Sequence, residues 1–380
     1  MRIAIFDYRI TPNNPIGSCH LAMLRSLAAE HEFTVFAVEF ENPCPQKIRW
    51  VRVPSPLRPM ALLFVGYHMM ALLCYLLYRL RGGKKFDLVQ ALESNLLFGD
   101  LLYVHFCHRI YLKHHWTSSS APGLRGWLRW LDHKLHAWVE SFTYPRAKQV
   151  VVPSAGLARE LRAAFPFVEH KLTVLPNPIV LERLQMPGDF DRRAFRRSLG
   201  IGEQDVAASF VALGQFERKG LPLLLQALAG PGQVKLIVVG GEADLIARYR
   251  LEAAKYQLGN RVIFAGMQSD VRPYLWSSEL FVFPSHYETF SLVTYEAAAS
   301  GLPIVTSRLY GVEDLLQDGD NGFLIETTVG GVTEGLERFL SLSPDARQAM
   351  GQRARLAASA CSEEHFLDAW RAFYSQHAAA

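Results

Sequence analysis

Short apolar runs alternate with helix-length stretches along nearly the whole chain, and that alternation limits the fold more than any single residue does. In the N-terminal half the runs are Ile3–Phe6, Phe33–Val38, Ile48–Val53, Leu88–Ala91, Leu101–His105, Gln149–Val152 and Thr173–Leu175. In the C-terminal half they are Ala207–Leu213, Val234–Val239, Arg261–Phe264, Leu280–Phe283 and Pro303–Thr306. Helical patterns fill the gaps, among them Cys19–Glu30, Leu124–Phe142, Pro222–Ala229, Asp244–Tyr256 and Leu292–Ser300. Strands alternating with helices imply parallel sheets covered on both faces. Because the pattern occurs twice, the expected fold is α/β, with two doubly wound Rossmann-like domains facing across a cleft. The 380 residues agree, being more than one core ordinarily serves. The expected domains are 1–180 and 187–355, with 356–380 a C-terminal helix packing back on the first.

Composition excludes several classes. A chain half apolar, a fifth charged and only +4 in net charge is neither disordered nor a nucleic-acid binder. The charge is uneven, since residues 101–150 hold seven Lys/Arg against Asp132 and Glu140. Five scattered cysteines without paired spacing read as reduced, mostly buried thiols, and only four apolar residues stand between Arg2 and Asp7, too few for a signal peptide. The expectation is a cytoplasmic protein. Met60 to Tyr78 contests this with nineteen uncharged residues, a span of about 28 Å as helix. Strand-like runs on both sides argue against a spanning segment and for a buried crossover helix, a membrane-touching one being the alternative. The tryptophans of 125–144 (Trp127, Trp130, Trp138) stand at helical spacing beside Arg129 and Lys134. That pattern suits either core or an anionic membrane surface.

Neither G-x-G-x-x-G nor the P-loop spacing is present, which disfavours a dinucleotide or P-loop enzyme. The second half instead has Gly214-Gln-Phe-Glu-Arg-Lys-Gly220 between a strand and a leucine-rich helix. Its glycines allow a sharp turn, and Arg218 and Lys219 set two cations at the sheet's carboxyl edge, where a diphosphate fits. Further on, Phe283-Pro-Ser-His-Tyr-Glu288 leads into a helix that starts near Ser291 and carries Glu296 in its second turn. A helix start offers free N–H groups to a phosphate, and the two glutamates suit polyol hydroxyls.

These residues resemble a known family. Pro284-Ser285, Glu288…Glu296-Ala297, Gly301-Leu-Pro303 and Asp318-Gly-Asp-Asn-Gly322 look like the donor signature of family-4 (group 1) retaining glycosyltransferases of GT-B fold. Val152-Pro-Ser154, Leu175-Pro-Asn-Pro178 and Arg261-Val-Ile-Phe-Ala-Gly266 extend the resemblance over most of the chain. It implies a nucleotide-diphosphate sugar as co-substrate and no cofactor or metal. Glu288 would bind the sugar's hydroxyls, Glu296 the ribose, and Arg218 with Lys219 the diphosphate. Backbone groups at Phe290, Ser291 and Leu292, with Gly266 and Gly17, would complete the donor site. His105 would stand near the reacting carbon. Two departures are Gln215 where the family has Arg, and Ile16-Gly17 where it has Gly-Gly.

The implied reaction is metal-independent hexosyl transfer with retention to a hydroxyl of a glycan or glycolipid, as in polysaccharide or lipopolysaccharide synthesis. The resemblance implies that 187–355 binds the nucleotide sugar and 1–180 the acceptor, and the basic, aromatic N-terminal half tilts the expected acceptor toward an anionic or lipid-bearing one. His105/His108 and His114/His115 match no zinc spacing and have no acid nearby in sequence. Three readings stay open beside it: a glycosidase using Glu288 and Glu296, a nucleotide-sugar epimerase of the same fold, and a non-catalytic sugar-nucleotide-binding protein.

Overall fold

The computed structural model describes residues 1–12, 14–56, 60–116, 123–230 and 232–378. The chain divides into two units, Met1–Pro178 with Glu363–Ala380, and Ile179–Ser362. Residues 356–362, read from sequence with the last helix, stay with the second unit. Cys361 is buried in that unit's core and its carbonyl accepts from Ile179 N–H (2.7 Å).

The first unit is built on β1 (Arg2–Phe6), β3 (Glu32–Ala37), β5 (Ile48–Arg52), β6 (Leu88–Leu92), β7 (Leu101–Tyr103), β8 (Gln149–Val152) and β9 (Leu172–Val174). A two-stranded ribbon, β2 (Arg9–Ile10) with β4 (Glu39–Phe40), sits apart from it. The sheet order is β5-β3-β1-β6-β7-β8-β9, parallel throughout. From β1 the chain winds outward through β3 and β5, then returns to lay β6 on the other side of β1. The winding therefore reverses between β1 and β6, and in open parallel sheets such a reversal opens a crevice beyond the strands' carboxyl ends.

Helices α1 (Pro15–Leu27), α2 (Met60–Leu80), α3 (Leu124–Arg146) and α4 (Ala155–Ala164) serve this sheet. Each face has its own core, and the helix Glu363–Ala378 completes one of them with fully buried Trp370 and Tyr374. The Tyr374 hydroxyl donates to Gln90 Oε1 (2.7 Å).

Helix α2 is the crossover between β5 and β6, but burial covers only part of it. Leu63, Phe64, Tyr67 and Ala71 face the core, while Leu62, Val65, Met69, Leu72, Leu73, Leu76, Leu77 and Leu80 face solvent. That is one continuous apolar stripe at three- and four-residue spacing. The α3 tryptophans are not core either, since Trp127, Trp130 and Trp138 are all exposed. Of the cysteines, Cys19, Cys107 and Cys361 are buried, Cys44 and Cys74 half-buried, and all five are free thiols.

The second unit's sheet is β12-β11-β10-β13-β14-β15, again parallel. Its strands are β10 (Val206–Val211), β11 (Val234–Val239), β12 (Val262–Gly266), β13 (Leu280–Phe283), β14 (Ile304–Ser307) and β15 (Gly322–Ile325). The winding reverses between β10 and β13. The two loops singled out in the sequence leave those two strands.

Candidate active site

Packing fixes how the β10 loop lies. Phe216, fully buried, packs edge-on against Phe210 (5.8 Å) and Tyr249 (5.3 Å). Gly220 has φ +81°, and a Cβ there would stand 1.9 Å from the Pro284 carbonyl oxygen, so only glycine lets the loop touch the end of β13. Gly214, expected to help the turn, has neither a positive φ nor a close neighbour; the other left-handed residue is Gln215, at φ 55°. The contact is stitched by His286 N–H and the Ser285 hydroxyl, both donating to the Arg218 carbonyl (2.9 and 3.3 Å).

This stitching brings Arg218, Lys219 and Glu288 together. The Lys219 ammonium donates to Glu288 Oε1, as does the Ser285 hydroxyl at 2.9 Å. Arg218 Nη1 donates to the Tyr287 carbonyl and lies 3.5 Å from the same Oε1, and its Nε donates to Gln215 Oε1 (2.8 Å). All three side chains are less than a fifth exposed. Burial pushes the Glu288 carboxyl up, yet Lys219 and then Arg218 outweigh it and hold the group below its ordinary range. Burial likewise pulls the Lys219 ammonium down, which Glu288 offsets only in part. The cluster is two cations around one carboxylate, a net +1. Every bond lands on Oε1, so among the described residues Oε2 takes none.

Helix α5 (Leu292–Ala299) begins beside them. Its N-cap Ser291 is left-handed (φ 68°), an uncommon state for a residue with a Cβ. The Ser291 hydroxyl bonds Thr294 Oγ1 (2.7 Å) rather than capping the backbone. Among the described residues nothing accepts from the N–H groups of Phe290, Ser291, Leu292 and Val293. Four donors at a helix start form a ready anion cradle. Glu296 sits one turn deeper, its carboxyl pushed up to about 7 by burial and without a hydrogen-bond partner among the described residues.

Gly266 turns the end of β12 with φ +73°, its carbonyl accepting from Gly240 N–H (2.7 Å). The Asp318–Gly322 motif builds a turn: Asn321 Oδ1 accepts from Gln317 N–H (2.8 Å), its Nδ2 donates to Leu315 O (2.9 Å), and Asp318 Oδ1 accepts from Leu324 N–H (2.9 Å).

In the first unit, Gly17 lies in the first turn of α1, where a Cβ would meet the Arg9 carbonyl and Thr11 N–H at 2.9 Å. Its own N–H is taken by the Asn14 side chain (3.0 Å), so the structure gives Gly17 a packing role. His105 is buried beyond β7, with Nε2 on Asn177 Oδ1 (3.0 Å), an oxygen that also accepts from Tyr103 (2.9 Å). Burial pulls the imidazole down to about 4, so it is neutral at ordinary pH. Asn177 was missed from sequence; its signal was the Pro-Asn-Pro stretch around it. The other histidines do have acid neighbours, distant in sequence: His115 Nε2 is 3.3 Å from Glu160, and His108 Nε2 is 3.6 Å from Glu93. Among the described residues no group of three His, Cys, Asp or Glu is arranged to hold a metal ion.

Two family models match the chain, glycosyltransferase family 4 over residues 19–183 and glycosyl transferases group 1 over residues 191–357. The chain belongs to the group 1, family-4 glycosyltransferases. It is 29% identical over 275 residues to an uncharacterized glycosyltransferase of Methanocaldococcus jannaschii, covering 68% of this chain and 67% of that one. Alignments with further curated relatives span 37% to 44% of their lengths. Among solved structures, WaaG, a glycosyltransferase involved in lipopolysaccharide biosynthesis, superimposes with a TM-score of 0.75 at 20% identity, covering 94% of this chain and 95% of that one. Anabaena HepE in complex with UDP-glucose does so with 0.71 at 19%, covering 99% and 100%. At such identities the likeness is one of fold, and that fold is GT-B.

Proposed function

We propose that this glycosyltransferase moves a hexosyl group from a nucleotide-diphosphate sugar to a hydroxyl of a glycan or glycolipid, with retention and without a metal. One observation carries the reading: Lys219 and Arg218 around Glu288, beside the unpartnered N–H groups that open α5. Fixed cations and a helix mouth stabilise charge where it grows on the departing diphosphate, and they are already oriented before reaction. Glu288 Oε2 suits a sugar hydroxyl and Glu296 the ribose. Neutral His105 serves as a hydrogen-bonding group for the transferring sugar, held by Asn177. The UDP-glucose bound by HepE supports a donor of that class.

Substitution tests it. With a panel of nucleotide sugars and acceptors, Lys219→Ala and Glu288→Gln should each cut transfer at least a hundredfold while circular dichroism stays unchanged. Near-normal turnover in both would remove the mechanism. Product formed from donor without acceptor would mark an epimerase, and donor binding without any turnover a binding protein.

The same reading places the enzyme's work at an anionic membrane, on the cytoplasmic side. Its support is the exposed stripe of α2 and the exposed tryptophans of α3, two helices that touch through the buried Phe64 and His136 (ring centroids 4.1 Å). Residues 42–86 add eight Lys/Arg and no Asp or Glu, a complement to anionic headgroups. Helix α2 would lie in the interface, because β5 and β6 at its two ends belong to one sheet. Co-sedimentation with phosphatidylglycerol vesicles should fall at least tenfold in Met69→Glu/Leu76→Glu, and unchanged binding would refute the assignment.

A further inference from the structure

Three helices besides α5 open on a serine or threonine, and all three use its hydroxyl in the same way. Ser154, Thr328 and Ser343, which precede the helices Ala155–Ala164, Val329–Leu340 and Pro344–Ala358, have negative φ (−150°, −137° and −64°). Each side-chain oxygen accepts from the N–H three residues on, at Leu157, Gly331 and Ala346 (3.1, 3.1 and 3.2 Å). Ser291 holds the same position before α5 and does neither. Its φ is 68°, and its hydroxyl bonds the Thr294 hydroxyl (2.7 Å) instead of a backbone N–H. Thr294 is fully buried, and among the described residues its side chain has no other hydrogen-bond partner.

The exception decides which N–H groups stay open. An ordinary cap would spend the serine oxygen on the N–H of Val293 or Thr294. Here the Thr294 N–H donates to the Ser291 carbonyl (2.9 Å), and those of Ser291, Leu292 and Val293 keep no partner among the described residues. A left-handed residue followed by a right-handed one also turns successive N–H groups toward one point, a concavity that takes anions.

The residue before Ser291 is clamped. Phe290 stacks on Tyr295 (4.4 Å, 8°), whose hydroxyl donates to the Gly311 carbonyl (2.7 Å). Gly311, at φ +78°, approaches so closely that a Cβ would stand 2.8 Å from both Phe290 Cα and the Phe290 carbonyl oxygen. Ser291 itself carries a Cβ that makes the left-handed state costly, and such strain persists only where the surroundings impose it. The hydroxyl that Thr294 offers is the one side-chain partner that Ser291 has among the described residues.

We propose that Thr294 is a positioning residue of the donor site: its hydroxyl draws the Ser291 side chain away from the helix start and holds Ser291 left-handed, which leaves the N–H groups of Ser291, Leu292 and Val293 to a diphosphate. This rests on the donor reading given above, since it takes a diphosphate to occupy the start of α5. Thr294, with no exposed surface, acts through Ser291 and not by contact with the ligand.

The test is calorimetric titration of the full chain with UDP and with GDP, alongside the melting temperature of each variant. In Thr294→Val, close in shape but without the hydroxyl, affinity for the better-bound nucleotide should fall at least tenfold. Adding Ser291→Gly should bring it back to within threefold of the native value, because glycine keeps a positive φ unaided and brings no hydroxyl to cap the helix. If the valine variant does not fold, Thr294→Ala against Thr294→Ser reads the same hydroxyl, the first losing affinity and the second retaining most of it. A bond that only stabilised the fold would lower the melting temperature of Thr294→Val and leave its affinity alone, and that result would overturn the proposal. So would failure of the double variant to recover, since the serine hydroxyl would then itself meet the phosphate. Native binding that Lys219→Met weakens and Thr294→Val does not would remove this inference alone, whereas a native chain that binds neither nucleotide would remove the donor reading and this inference with it.

Discussion

The two units solve one topological problem with opposite chemistry. Each sheet reverses its winding beside its first strand, β1 against β6 in one and β10 against β13 in the other, and each presents two adjacent loops there. In the second unit those loops bring Arg218, Lys219 and a single carboxylate to a helix start with four open N–H groups. In the first they bring Tyr8 and Glu93 near Asp132 and two neutral imidazoles, and among the described residues no cation pairs with either acid. Topology thus decides where a ligand sits, and side-chain charge decides which. One crevice gathers cations and a helix start, the other acids and imidazoles.

Five substitutions would break or sharpen this contrast. The largest effect belongs to Gly220→Ala, which adds a Cβ against the Pro284 carbonyl at a positive φ and should cost about 3 kcal/mol of stability. Gly214→Ala, with nothing near it, should be close to neutral, and calorimetric Tm values for the pair decide whether the β10 loop is pinned where described. Next, Lys219→Met should weaken UDP binding by one to two orders of magnitude, about 1.5–3 kcal/mol. Comparable weakening in Asp132→Asn would erase the division of labour between the two crevices.

The smallest effect is one of pH. Glu93 keeps its proton to about pH 8 in the fold, whereas an exposed glutamate loses it near 4.5. Between those values the folded state binds the extra proton, so stability falls as pH rises. Glu93→Gln mimics the protonated side chain and removes this loss. Its melting temperature relative to the native chain should therefore rise from pH 5 to pH 8. A difference independent of pH would mean that Glu93 is already ionised in the fold.

Much of the architecture could be read from the chain because buried parallel strands are continuous apolar runs, and most sheet strands up to β14 had that signature, the largely exposed edge strands β5 and β9 excepted. The missed strands were short: two-residue β2 and β4, and β15, whose Gly-Phe-Leu-Ile follows directly on a turn. Glu288, Arg218 and Lys219 could be picked out from the chain as candidates, but their mutual neutralisation could not, since it joins segments about seventy residues apart. The approach of Glu93 to His108 (3.6 Å) was hidden as well, since it depends on how the segments after β6 and β7 meet. For α2 the failure was of another kind. A helix apolar on every side has the same composition whether its second face meets protein or water, and periodicity cannot separate the two.

The closing helix of the first unit carries a consequence for synthesis. Trp370 and Tyr374 fill a core whose other walls are α1, the β1–β6 region and Leu101, Tyr103, Val151 and Leu175, all made before residue 179. The second unit, residues 179–362, is contiguous and is finished before that helix emerges. On the ribosome the later-made lobe can therefore close first, while the earlier one waits with an uncovered sheet face for its last-made piece.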